Sequence, residues 1–211
     1  MILGLLFQNP LLFVAWLLSI FYGITVHEFA HAWAATIHGD QTAKLMGRLT
    51  LNPLKHLDLV GFLMLIFAGF GWGKPVPVNP YNLKNGKTSD NIVSLAGIFF
   101  NVLSIIVFSV ILKLIVTYTS LGAENLLVNF LFMLVMINLV LAVFNLIPIP
   151  PLDGSHVLFN LLPERFNQFK INLAQNGPFL LLMLILVDNF LNIGIFSALF
   201  NFFLNLIYRF F

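Results

Sequence analysis

PLLFVAWLLSIFYGITVHEFAHAWAATI, residues 10–37, is an apolar run that carries a small polar cluster near its end. Asn9 before it suits an N-cap, and Pro10 suits the first position of a helix. His38-Gly39-Asp40 after it reads as a stop. As one helix the run rises about 42 Å, more than the roughly 30 Å hydrocarbon core of a bilayer. It predicts a membrane-spanning helix whose only acidic or basic residues are His27, Glu28 and His31.

The rest of the chain agrees. Of 211 residues, 60% are hydrophobic and only 9% are charged, against about 25% charged in soluble domains. Too few polar groups exist to cover a water-facing surface, which excludes a water-soluble monomer. A net charge of +2 without a basic cluster excludes nucleic acid as a partner. The absence of cysteine removes disulfides, thiol nucleophiles and cysteine-based zinc sites. Met1 to Phe7 lacks a positive start and a small-residue cleavage site, so it reads as an interfacial lead-in or part of the mature fold rather than a cleaved signal peptide.

Further apolar runs cover Asn91 to Thr117, Asn125 to Ile147 and Pro178 to Tyr208, the last broken at Asp188-Asn189. Leu59 to Gly71 would rise only about 20 Å, too little for an ordinary span, and fits a re-entrant element. Together these runs predict an all-α polytopic membrane protein with five to six membrane-embedded helical segments. Residues 1–211 form one domain, with its core at 10–165. A small β element is expected at the cytoplasmic face. Lys44 to Leu51 roughly alternates polar and apolar residues, and Pro75 to Pro80 can only be extended, at a sheet edge.

Lysine and arginine placement gives the orientation. Lys44, Arg48 and Lys55 before the short run, and Lys74, Lys84 and Lys87 after it, put both segments in the cytoplasm. The helix from Pro10 then ends on that side, Glu124 lies outside, and Arg165 and Lys170 lie inside. The chain is expected in the cell membrane, multi-pass, with its polar cluster toward the cytoplasm.

His27-Glu28-Phe29-Ala30-His31 supplies the chemistry. Residues four apart on a helix differ by about 40° in azimuth and about 6 Å in rise, so both imidazoles face one way. Glu28 lies at the edge of that face. Two histidines can share a metal while the carboxylate takes a proton from the attacking water. Polar groups at bilayer depth are costly, and a metal is the compensating partner they need. A zinc hydrolase requires a third protein ligand and an open position. Asp153 is the candidate, because the prolines at 148, 150 and 151 end a helix and Gly154 permits a turn that aims it inward. His38 shares the azimuth of His31 but lies about 10 Å along the helix, and reads as an interfacial cap. His56 reads as solvated, and Asp188 as a turn residue.

These motifs resemble those of the site-2 protease family of intramembrane zinc metalloproteases. The resemblance rests on His27-Glu28-x-x-His31, followed about 120 residues later by Asn145-x-x-Pro148 and Asp153-Gly154. Gly-Trp-Gly-Lys-Pro-Val-Pro-Val-Asn-Pro, ending at Pro80, resembles the small bacterial members, which lack PDZ and CBS domains. The resemblance implies that His27, His31 and Asp153 bind one Zn2+, that Glu28 is the general base, and that the substrate is a transmembrane protein cut within the bilayer. It also implies a substrate-positioning role for Ala96-Gly97-x-x-x-Asn101, although Ile98 stands where the family has Pro. Asn101 and Asn145 are expected to give polar contacts to substrate or to ligand positioning. The competing reading is a transporter or channel using the same groups as an ion site, but transporters often show internal repeats and none is visible.

Overall fold

A computed structural model describes residues 2–209 of the chain. Its helices are α1 (Ile2–Gln8), α2 (Pro10–Ile37), α3 (Thr42–Leu45), α4 (Leu59–Ala68), α5 (Lys87–Tyr118), α6 (Leu126–Asn145), α7 (Asp153–Leu161), α8 (Asn167–Leu191) and α9 (Ile195–Tyr208). Among the described residues, four helical stretches are long and apolar enough to cross a membrane: α2, α5, α6 and Glu164–Leu191, which contains α8. With the shorter α4 and α9, this is the multi-pass all-α architecture expected.

Local chemistry sets the ends of α2. Asn9 Oδ1 accepts from Leu12 N, and Pro10 occupies the first position, where a missing N–H costs nothing. At the other end the His38 N–H returns to Ala34 O, and Gly39 takes a φ of 109°, which turns the chain away. The core is the triangle of α2, α5 and α6. Ala30, Ala34 and Ala35 of α2 pack on Val93 and Ala96 of α5, and Gly23 packs on Ile137 and Leu141 of α6. Small residues at these contacts let the helix backbones approach, the usual device where lipid removes the hydrophobic drive between helices. Against this triangle, α7 rests on α5 and α9 on α6. By contrast α8 buries only Gly177, which sits on Pro150, and Leu181.

The segment from Leu59 to Gly71 leaves and returns at one base, where Gly73 lies against Ile24 in the middle of α2. Asp58 caps α4 at Gly61 N, and Gly69 ends it in the left-handed region. Leu57 and Gly73 then form an antiparallel bridge, and Lys74 N donates to His56 O at 2.8 Å. A methyl group at Gly61 would collide with the Trp72 carbonyl, so the hairpin closes only on glycine.

Two expectations need correction. No strand forms over Lys44 to Leu51, and among the described residues the Leu57–Gly73 bridge is the sole β feature. Asp40 Oδ1 accepts from the backbone N–H and the hydroxyl of Thr42, the first residue of α3, and Gly47 then breaks the chain at a φ of 68°. Local side-chain to backbone bonding therefore overrides the alternation. Pro75 to Pro80 is extended to Asn79 but has no ladder partner; side chains hold it instead. At the C-terminal hairpin the break falls after Leu191, and Asp188 stays helical while its carboxylate accepts from Ile195 N and Phe196 N to cap α9.

Candidate metal centre

His27 and His31 lie one turn apart on α2, with ring centroids 4.6 Å apart and Nε2 atoms 3.0 Å apart. Beyond α6, the proline-rich stretch carries the chain back so that Asp153 becomes the first residue of α7. Its Oδ2 stands 3.1 Å from His27 Nε2 and 3.3 Å from His31 Nε2. Gly154 makes this possible, because a side chain there would strike the Leu146 carbonyl.

Hydrogen bonds on the far side of each ring fix the tautomers. His31 Nδ1 lies 2.8 Å from Val93 O, and a carbonyl can only accept, so this nitrogen carries the proton. His27 Nδ1 lies 2.6 Å from Asn101 Oδ1. The amide nitrogen of Asn101 is committed to Gly23 O and to Asn138 Oδ1, which leaves the oxygen to accept from His27. Both Nε2 atoms therefore present bare lone pairs. They converge on Asp153 Oδ2, a buried oxygen that accepts no hydrogen bond. Three lone pairs facing one point repel one another unless a cation sits between them. Tetrahedral zinc with ligands at about 2.0–2.2 Å sets its donors about 3.3 Å apart, and the observed separations of 3.0, 3.1 and 3.3 Å match that size. The donors fit zinc.

Gly97 closes the site from α5. A Cβ there would stand 2.5 Å from His27 Cε1 and from His31 Nε2. Glu28 lies outside the three-donor group and is half-buried. Its Oε2 accepts from Val76 N at 2.8 Å.

The remaining candidates fall as follows. Asn101, expected beside substrate or as a positioning group, is wholly buried and directs its oxygen at His27. Asn145 donates to Leu141 O within its own helix, at the end of α6. His38 is the C-cap of α2, and its Nδ1 meets Ser89 Oγ at 3.1 Å. His56, expected in solvent, is fully buried, bonded to Thr50 O and to Arg48. Asn138 was not singled out from the sequence, and Arg48 was read only for its charge. Asn138 had a signal, an amide in the middle of an otherwise apolar run; Arg48 had none beyond its charge.

The sequence has known relatives. The profile of peptidase family M50 matches residues 113–187, which include Asp153 but neither His27 nor His31. YwhC of Bacillus subtilis, provisionally named a zinc metalloprotease, is 38% identical over 176 residues, or 81% of this chain and 78% of its own. Rip2 of Mycolicibacterium smegmatis, named likewise, is 32% identical over 200 residues, 92% of this chain and 73% of its own. Cj1068 of Campylobacter jejuni, again so named, is 36% identical over 84 residues, 36% of this chain and 22% of its own. No solved structure matches the chain. The transporter reading gains nothing from these relatives. With the first two similarities running over most of both chains, this protein belongs to peptidase family M50, the site-2 protease family of zinc metalloendopeptidases.

Proposed function

We propose that this chain is an intramembrane endopeptidase that hydrolyses a peptide bond within or near a transmembrane segment of another membrane protein. His27, His31 and Asp153 would hold one zinc ion, and Glu28 would be the general base. The observation that carries the reading is the convergence of three unprotonated donors, Nε2, Nε2 and Oδ2, within 3.0 to 3.3 Å of one another. Zinc held there supplies Lewis acidity, lowering the pKa of the attacking water toward about 7 and polarising the scissile carbonyl.

The residues of the chain do the rest. Glu28, with Oε2 anchored by the Val76 N–H, takes the proton of the attacking water and delivers it to the leaving amine. Asn101 holds His27 in the tautomer that leaves Nε2 free. Asn145, where α6 gives way to the proline-rich stretch, would offer its amide to substrate. A helical substrate hides its amide bonds and must unwind first. The extended stretch at 75–79, beside Glu28, offers such a peptide an edge to pair with. The whole of 1–211 acts as one domain, and the charge distribution puts its site toward the cytoplasm.

Zinc per chain tests the reading. Wild type is expected to hold one zinc, and His27→Ala and Asp153→Ala to lose it. Glu28→Gln should keep zinc and fail to cleave a membrane-embedded reporter substrate. Stoichiometric zinc in His27→Ala, or cleavage by Glu28→Gln, would overturn it.

A further inference from the structure

We infer that Arg48 is a positioning residue for Glu28, acting through a single peptide group, the one between Pro75 and Val76; this rests on the reading of Glu28 as general base. Arg48 is only 6% exposed, an unusual place for one of the few charges of this chain, and buried charges persist where they are paired.

Its guanidinium forms a fork. Nη1 donates to Pro75 O at 3.0 Å and Nη2 to Lys74 O at 2.6 Å. Behind the fork stands His56. Its Nε2–H donates to Thr50 O at 2.8 Å, which leaves Nδ1 to face Arg48 Nη2 at 3.4 Å. The His56 carbonyl also accepts from Lys74 N at 2.8 Å. Lys74 and Pro75 are thus gripped from both sides.

The consequence lies one atom further along. Pro75 C=O and Val76 N–H belong to the same planar peptide, and in a trans peptide the two bonds point in opposite directions. Arg48 holds the oxygen end, and Glu28 Oε2 holds the hydrogen end at 2.8 Å. The peptide dipole is therefore aligned between a cation and an anion, an arrangement in which each hydrogen bond strengthens the other. Proline on both sides of Val76 removes the neighbouring N–H groups, so this one alone is on offer between residues 75 and 77. Burial pushes the Arg48 guanidinium below its ordinary value, and the Glu28 carboxylate offsets that; the two charges act on each other across the peptide. The effect is to pin one carboxylate oxygen, so that the other keeps a fixed aim at the water to be activated.

The experiment measures steady-state cleavage of a membrane-embedded reporter, with zinc per chain, for Arg48→Gln, Arg48→Lys, Val76→Pro and the double variant Arg48→Gln/Val76→Pro. Arg48→Gln should lower kcat about 100-fold, the scale of a misaimed catalytic group, with KM and zinc unchanged. Arg48→Lys should recover part of the loss, because an ammonium lacks the planar fork that reaches both carbonyls. Val76→Pro, which removes the N–H that meets Glu28, should match Arg48→Gln. The double variant should be no slower than either, since both break one relay. Wild-type kcat in Val76→Pro, a loss confined to KM in Arg48→Gln, or multiplying losses in the double variant would overturn the inference, with Val76→Pro deciding it should Arg48→Gln not fold. Cleavage by Glu28→Gln would overturn it from beneath, together with the base assignment.

Discussion

Replacing Gly97 with Ala adds one methyl group to α5 and is expected to weaken zinc binding while leaving the helix intact. The added Cβ would stand 2.5 Å from His27 Cε1 and His31 Nε2, and 2.6 Å from His27 Nδ1. Ordinary contact begins at 3.4 Å, so the rings must retreat by about 0.9 Å. Neither can do so freely, because Asn101 ties His27 Nδ1 and the Val93 carbonyl ties His31 Nδ1. Metal sites tolerate ligand displacements of about 0.2 Å. Overpacking a filled site costs about 1–3 kcal/mol, which is about 5- to 150-fold in affinity. The struck atom is itself a proposed ligand, so the upper end, about 100-fold, is expected. Competition with a chromogenic chelator measures this directly. Thermal unfolding of the metal-free protein serves as the control, since Gly to Ala inside a helix by itself gains about 1 kcal/mol. Gly23→Ala is the matched comparison. Its Cβ would meet Leu141 Cδ1 at 2.8 Å, the movable end of a side chain, and zinc affinity should stay as it was. Wild-type zinc affinity in Gly97→Ala would refute the argument, because the rings could then not be where the geometry puts them.

Other outcomes are expected as well. Asn101→Ala should bind zinc about 10- to 100-fold more weakly, as losing the partner of a ligating histidine commonly does; unchanged chelator competition would count against the tautomer argument. Asp40 is fully buried, and although burial opposes its ionisation, bonds from Thr42, Asn79 and Asn82 hold its carboxyl below the usual range. A value lower in the folded than in the unfolded state, about 3.9, gives a contribution fully present above that pH and lost as pH falls through the folded value. The unfolding midpoint should drop below about pH 4 in wild type, whereas Asp40→Asn should start lower at pH 7 and decline less; parallel acid declines would remove Asp40 from this role. Finally, cysteines at Lys55 and Lys84, exposed positions in this cysteine-free chain, should react with an impermeant reagent from the same face of the membrane. Reaction from opposite faces would make α4 a true span.

Whatever depended on near neighbours along the chain was legible in advance. The helix of residues 10–37 was readable from an N-cap, a proline and an uninterrupted apolar run, and the four-residue spacing of His27 and His31 placed both rings on one face whatever the rest of the fold did. Asp153 was the expected third donor because prolines and a glycine mark a turn at that point and two histidines elsewhere call for a partner. Where two local signals disagreed, the sequence alone could not choose. The alternation of Lys44 to Leu51 spoke for a strand, and the bonding of Thr42 to Asp40 went with a helical turn.

Tertiary structure decided which polar groups meet across long separations. Nothing in the sequence pairs Asn101 with Asn138, buries His56, or sets the Pro75–Val76 peptide between Arg48 and Glu28. In a soluble chain, hydrophobic periodicity separates core from surface and narrows such choices. Here lipid-facing and core-facing positions are both apolar, so the pattern that marks a helix carries little word of which face it buries. The sequence by itself therefore determined that the chain enters the membrane and that two histidines share a face. Only the packing of α2 against α5 and α6 decided which backbone carbonyl and which amide fix their protons, because those partners lie 62 and 74 residues away.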